Sequence, residues 1–184
     1  MVVHDGAIQV SNPINAFTSH HVGVAAEAIA AAQFARCGLD VSVQYGANQP
    51  EYDLIVARDQ KMLKVSVKGS KDGAWGLTQS WLERGKADYH GAIDGWLAQH
   101  KKKTVMCFVQ FDNVQLNEMP RCYLASPGEV AERLRATSKG RGATILWEKK
   151  VWTARAFAAG TVEAIPAAWN FSVERVEELF RREG

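Results

Sequence analysis

The 184-residue chain is poor in most of the features by which a sequence announces its chemistry. It has three cysteines, Cys37, Cys107 and Cys122, far apart and odd in number, so neither a disulfide framework nor a closely spaced zinc site is on offer. Cys107 and Cys122 lie in apolar, strand-like stretches where buried free thiols are expected, and a reducing cytoplasm suits them. No run of about 18 apolar residues is present to cross a membrane as a helix. The opening "MVVHDGAIQVSNPINAF" lacks a basic stretch followed by an apolar one, so no signal peptide is expected. G-x-S-x-G, H-E-x-x-H and a glycine-rich phosphate loop after a strand are all missing, which removes three common enzymatic readings. Net charge is scarce too, at +2. Affinity for nucleic acid would have to come from local clusters, such as Lys101-Lys102-Lys103 or Lys61, Lys64, Lys68 and Lys71. A solvated surface explains such runs as well.

What is present fits one folded domain with a sizeable core: 47% of residues are hydrophobic and 23% charged. Residues 1–18 read as an arm broken at Asn12-Pro13. "SHHVGVAAEAIAAAQFARCG" is an Ala-rich helix closed by Gly38. "LDVSVQY" alternates as a strand and "GANQPE" turns the chain. "YDLIVARDQKMLKVSVKGS" then reads as two strands around a tight turn. "GAWGLTQSWLERGKAD" is expected as a loop with one or two helical turns. "DYHGAIDGWLAQHKKK" is a helix with a basic last turn, and "TVMCFVQFDNV" is a buried central strand. After the strand "RCYLA", Ser126, Pro127 and Glu129 form a capping-box start to a third helix. "ATILWEKKVWTARAF" is one bent strand or two, and the C-terminal helix is capped by Ser172. No repeat or linker divides the chain, so a single α/β domain is expected, a mixed central sheet flanked by helices.

The chemistry concentrates in the hairpin. Strand alternation sends Leu63, Val65 and Val67 to one face and Lys64, Ser66 and Lys68 to the other. A turn centred on Asp59-Gln60 pairs residues whose numbers sum to about 119, which sets Asp53 opposite Ser66 and diagonal to Lys68. An acid, a hydroxyl and an amine then share a face. An exposed Asp–Lys pair worth little energy has the same appearance. Glu27 adds to the first reading. At about 100° per residue it shares a helical face with Gly23, Ala31 and Phe34, with Gln33 and Arg36 turned away. A carboxylate on an inward face needs a cation, lysine or metal, unless it simply favours the positive end of its helix.

"GVAAE" on a helix, "YDLIV" on a strand and "VSVKGS" on the next resemble the PD-(D/E)XK nuclease superfamily, in particular its archaeal Holliday-junction-resolvase and restriction-endonuclease-like branch. The pattern there is a helical Glu, a strand-borne Asp and then (D/E/Q)-x-Lys. The resemblance covers residues 20–70, extends weakly to residue 125, and leaves 126–184 as a C-terminal α/β extension beyond a core of 19–125. It implies a restriction-endonuclease-like fold and Mg²⁺- or Mn²⁺-dependent hydrolysis of DNA. It further implies that Glu27 and Asp53 are the acids, Lys68 the catalytic lysine and the Val67 carbonyl a backbone metal ligand. Ser66 stands where the second hairpin acid belongs. With two carboxylates left, weak metal binding is expected, because Mg²⁺ prefers one or two carboxylates in near-octahedral oxygen surroundings and serine is a poor replacement. Duplex cleavage by such folds implies a homodimer. The rival expectation is a catalytically silent domain of the same fold that binds nucleic acid or a protein. Glu51 is a substitute acid two residues from Asp53, and Gln79, Trp75 and Trp81 are neighbours of the site. His20-His21 read as an arm pair, and His90 with Asp94 as an ordinary helical spacing.

Overall fold

Thr18 begins the first helix: its hydroxyl accepts the His21 N–H while the His21 ring faces the Thr18 N–H, a reciprocal cap. The histidine pair thus opens helix α1 (Ser19–Arg36) and does not sit in an arm. Helix α1 stops where Gly38 takes a φ of 76°, a left-handed backbone that glycine adopts without a Cβ penalty. The computed structural model describes residues 17–44, 51–100 and 104–183. The expected arm up to residue 16, the turn at 45–50 and Lys101-Lys102-Lys103 lie outside them.

After α1 come β1 (Asp40–Val43), β2 (Leu54–Arg58), β3 (Lys61–Ser70), β4 (Ala74–Gly76) and a 3-10 turn at Gln79–Trp81. Helix α2 (Tyr89–Gln99), β5 (Thr104–Gln110), β6 (Arg121–Ala125) and α3 (Pro127–Ala136) come next. The chain finishes with β7 (Ile145–Trp147), β8 (Lys149–Val151), β9 (Val162–Ala164), a 3-10 turn at Ala167–Trp169 and α4 (Val173–Glu183). The main sheet has the order β1-β2-β3-β5-β6, antiparallel except for the parallel β3–β5 pair. This is an α/β fold with a five-stranded mixed sheet packed against helices.

Two apolar layers result from the alternation of the strands. Leu54, Val56, Leu63, Val65, Val67, Val105, Cys107, Val109 and Leu124 point to one face, against Ala26, Ala30 and Phe34 of α1 and Val176, Leu179 and Phe180 of α4. Met106, Phe108 and Ala125 point to the other, against Ile93 and Trp96 of α2 and Val130, Ala131 and Leu134 of α3. Every residue of β5 is buried, which explains its unbroken apolar run. Cys107 and Cys122 are buried free thiols, and burial is the chief cause that raises the pKa of each. No described helix is long and apolar enough to cross a membrane.

Three local expectations change. The stretch around Trp75 forms strand β4, because it pairs with β7 as well as leading into a 3-10 turn. "ATILWEKKV" is two strands, since β7 pairs with β4 and β8 with β9, with Glu148 between them. Helix α2 ends at Gln99 without a basic last turn, its cap being His100. The C-terminal stretch packs into the same core. Buried Arg175 ties α4 to the rest: its Nε donates to the Leu124 carbonyl, Nη2 to Glu129 and Nη1 to Glu178. Glu129 also accepts the Ser126 N–H at 2.7 Å, so the expected capping box and the α4 contact share one carboxylate.

Candidate active site at the end of a shared ladder

The hairpin register is the one expected from a turn at Asp59-Gln60: Arg58 lies opposite Lys61 and Leu54 opposite Val65. Asp59 holds a φ of 56°, which a short acidic side chain tolerates at the first position of a two-residue turn. The regular β2–β3 pairing ends at Leu54, while β3 runs on to Ser70 with only β5 beside it. Past that point the side of β3 once covered by β2 forms a notch, and Asp53 is the residue at its corner.

Asp53 bridges the notch through main chain and side chain together. Its N–H donates to the Val65 carbonyl at 2.8 Å, and its carboxylate accepts the Val67 N–H at 2.6 Å. A carboxylate therefore takes the place of the next ladder carbonyl. The N–H and C=O of one strand residue point to the same side, so the Val67 carbonyl also faces the Asp53 side of β3. The Val67 side chain lies in the core with Leu63 and Val65. On the opposite face Ser66 is 3% exposed, while Lys68 is exposed. Lys64 places its ammonium 4.9 Å from the centre of the Tyr52 ring.

Glu27 reaches this region because α1 lies very close to β3. Ala26 and Ala30 are fully buried against the sheet. Next to Lys68, Gly69 has no side chain where one would collide: a Cβ there would stand 2.7 Å from the Val22 Cγ1 and 2.9 Å from the Ala26 Cβ. A glycine inside a strand often marks such an approach of another backbone, a signal that was readable in "VKGS". The buried stripe of α1 is Val22, Ala26, Ala30 and Phe34, so Glu27 is half-buried at its flank and not at its centre. An Ala-rich helix offers little polarity by which to fix its rotation, and α1 is turned by that much from the expected face.

The Glu27 carboxyl is shifted upward from its ordinary pKa. Burial is the main cause, the negative charge of Asp53 adds to it, and the positive charge of Lys68 opposes it. Glu27, Asp53 and Lys68 thus share one electrostatic neighbourhood, yet no hydrogen bond or ion pair joins the Glu27 or Lys68 side chain to another described residue. The expectation that Asp53 or Glu27 grips the Lys68 ammonium is corrected here. Asp53 is already engaged by a backbone N–H, and an exposed ammonium is well hydrated.

No family model, no curated protein and no solved structure matches the chain. The likeness to PD-(D/E)XK nucleases therefore stands on the residues just described.

The surrounding candidates divide. Trp75 is buried and donates its indole N–H to the Lys68 carbonyl at 2.9 Å, fixing the strand that carries the lysine. Sequence alone gave it no such role. Trp81 is exposed and lies against Gly95. The Gln79 side chain lies over Gly76, and Glu51 is exposed in the bend before Asp53. His90 meets the Gly140 carbonyl and Asp94 pairs with Arg135, so both tie α2 to α3 and the loop after it. Among the described residues no three His, Cys, Asp or Glu side chains converge. The oxygen donors at the notch are two carboxylates and one strand carbonyl, all hard ligands of the kind Mg²⁺ and Mn²⁺ take.

Proposed function

We propose that the chain is a divalent-metal-dependent, restriction-endonuclease-like protein that hydrolyses DNA phosphodiester bonds at this notch. The observation that carries the reading is the Asp53 carboxylate held on the Val67 N–H where β2 stops, with the charges of Asp53 and Lys68 both acting on Glu27. The raised Glu27 carboxyl beside the charge of Asp53 favours a cation near it, and the oxygen-only donor set fits Mg²⁺ or Mn²⁺. When bound, such an ion supplies charge stabilisation at the phosphate and a more acidic water.

The chain's own residues do the rest. Asp53 and Glu27 hold negative charge at the notch, and the Val67 carbonyl adds a neutral oxygen. Lys68, exposed and in no ion pair with a described residue, orients the attacking water and offsets charge developing on the phosphate. Ser66 contributes at most a hydrogen bond to water, so metal binding is weak.

The second reading, a silent domain that binds nucleic acid or a protein, draws on Ser66 and on the Asp53 carboxylate already serving a backbone N–H. Cleavage of supercoiled and branched DNA with Mg²⁺ or Mn²⁺ separates the two. Wild type is expected to cut, and Asp53→Ala and Lys68→Met are expected to lose cutting by about a hundredfold or more at equal DNA occupancy. Binding without metal-dependent cutting favours the silent domain. Equal cutting by wild type and Lys68→Met removes the lysine from the chemistry and the family reading with it.

A further inference from the structure

Residues 138–157, together with the start of α2, surround a groove of about 480 Å³, within the size range of small-ligand sites. Arg141, Lys150 and Arg155 line it, and no aspartate or glutamate does. None of these three cations is in an ion pair among the described residues. Their charge is therefore uncompensated in a concave, partly desolvated place, where an anion is attracted most strongly.

The rest of the wall is aromatic. The Lys150 ammonium lies 3.9 Å from the centre of the Trp147 ring and 5.7 Å from that of Trp152. The Arg141 guanidinium stands between Tyr89 and Phe157, at 5.9 Å and 5.8 Å from their ring centres. At that range each contact is a weak attraction. Phe157 is 64% exposed, so its ring is open to a ligand. The Trp152 indole N–H is buried and finds no acceptor among the described residues.

An inorganic anion would answer the cations and leave the rings bare. A neutral aromatic compound would cover the rings and leave the cations uncompensated. We propose that the groove binds a nucleotide unit, the base laid on the aromatic side chains and the phosphate held by Arg141 and Arg155. The unit comes from a single strand of nucleic acid or from a free nucleotide, which share this chemistry. Stacking serves any base, so little sequence preference is expected, and a paired duplex whose bases are already stacked is the poorer ligand. The inference does not rest on the nuclease reading, because none of Glu27, Asp53, Ser66 or Lys68 lines the groove.

The test uses the full chain, low salt and EDTA, so that no metal-bridged contact at the notch contributes. Fluorescence anisotropy with a labelled oligothymidylate is compared with a duplex of equal length, with thymidine monophosphate as competitor. The single strand is expected to bind more tightly than the duplex. Phe157→Ala should raise Kd at least about fivefold, the loss of one stacked base. Arg141→Ala with Arg155→Ala should lower the slope of log K against log salt by about 0.7 for one phosphate no longer neutralised. All three side chains are exposed, so the variants should keep the wild-type melting curve. Displacement by the mononucleotide assigns the site to free nucleotides, and its failure to compete assigns it to a strand. Binding of neither probe, or binding indifferent to both variants, overturns the proposal.

Discussion

Asp53 and Lys68 pull the charge of Glu27 in opposite directions. With Asp53 replaced as Asp53→Asn, a repelling anion disappears and the Glu27 pKa should fall; with Lys68→Met an attracting cation disappears and it should rise. Carboxyl-carbon NMR titration of the two variants reads both signs, and no movement in either would separate Glu27 from the notch. Because the folded pKa of Glu27 lies above its unfolded value, its contribution favours the fold below the unfolded pKa and is lost as pH rises through the folded one. The same protons compete with metal. Mn²⁺ affinity, measured by calorimetry, should therefore rise as pH climbs through the Glu27 titration, without a value being needed to fix the sign. Ser66 answers a separate question. At 3% exposure it has little room, so Ser66→Asp, the shorter acid, should tighten Mn²⁺ binding at some cost in stability, and unchanged affinity would mean that position 66 does not face the ion. Strand alternation and the turn made the hairpin register from Arg58–Lys61 to Leu54–Val65 legible. The bond from Val67 N–H to the Asp53 carboxylate was not, because it depends on where β2 stops pairing, and "YDLIV" does not mark that point.

Helix α1 was readable as an element, down to its glycine stop, but its seat on the sheet was not. That seat is set by Gly69 against Val22 and Ala26, three small or branched residues whose meeting no local pattern encodes. Gly69→Ala puts a methyl group into space already occupied, and α1 or β3 has to shift. The expected loss is about 1–3 kcal/mol in urea unfolding, as for other overpacked cores. The pKa of Glu27 should move toward its ordinary range in the same variant as the helix lifts from Asp53. A variant with wild-type stability and an unmoved Glu27 would show that the close approach is unimportant. Helices α2 and α3 were similarly plain in sequence, and β7 fell within a stretch read as strand, while β4 was hidden in one read as a loop. Three-residue strands carry too few alternations to be recognised, and only their mutual pairing makes them strands.

At the scale of the whole molecule, the stretch 126–184 completes the core. Helix α4 delivers Val176, Leu179 and Phe180 to the core that α1 also fills, and Phe171 meets Phe34 edge to face. Burying three such side chains is worth about 5–9 kcal/mol, comparable with the entire net stability of a domain this size. A chain truncated after Asn170 should therefore lose its cooperative thermal transition, as followed by circular dichroism. A sharp transition near the wild-type temperature would make α4 dispensable. The parallel pairing of β3 with β5 also bears on the order in which the chain assembles. β3 meets β2 across a two-residue turn, an encounter of microseconds, but it meets β5 only after residues 71–103 have been gathered and α2 laid over the sheet. Closing that long excursion is entropically expensive before any contact rewards it, so the seating of β5 sets the pace of folding. The hairpin half of the notch is then among the first parts of the molecule to exist, and until β5 arrives the far edge of β3 stands open to strands of other chains.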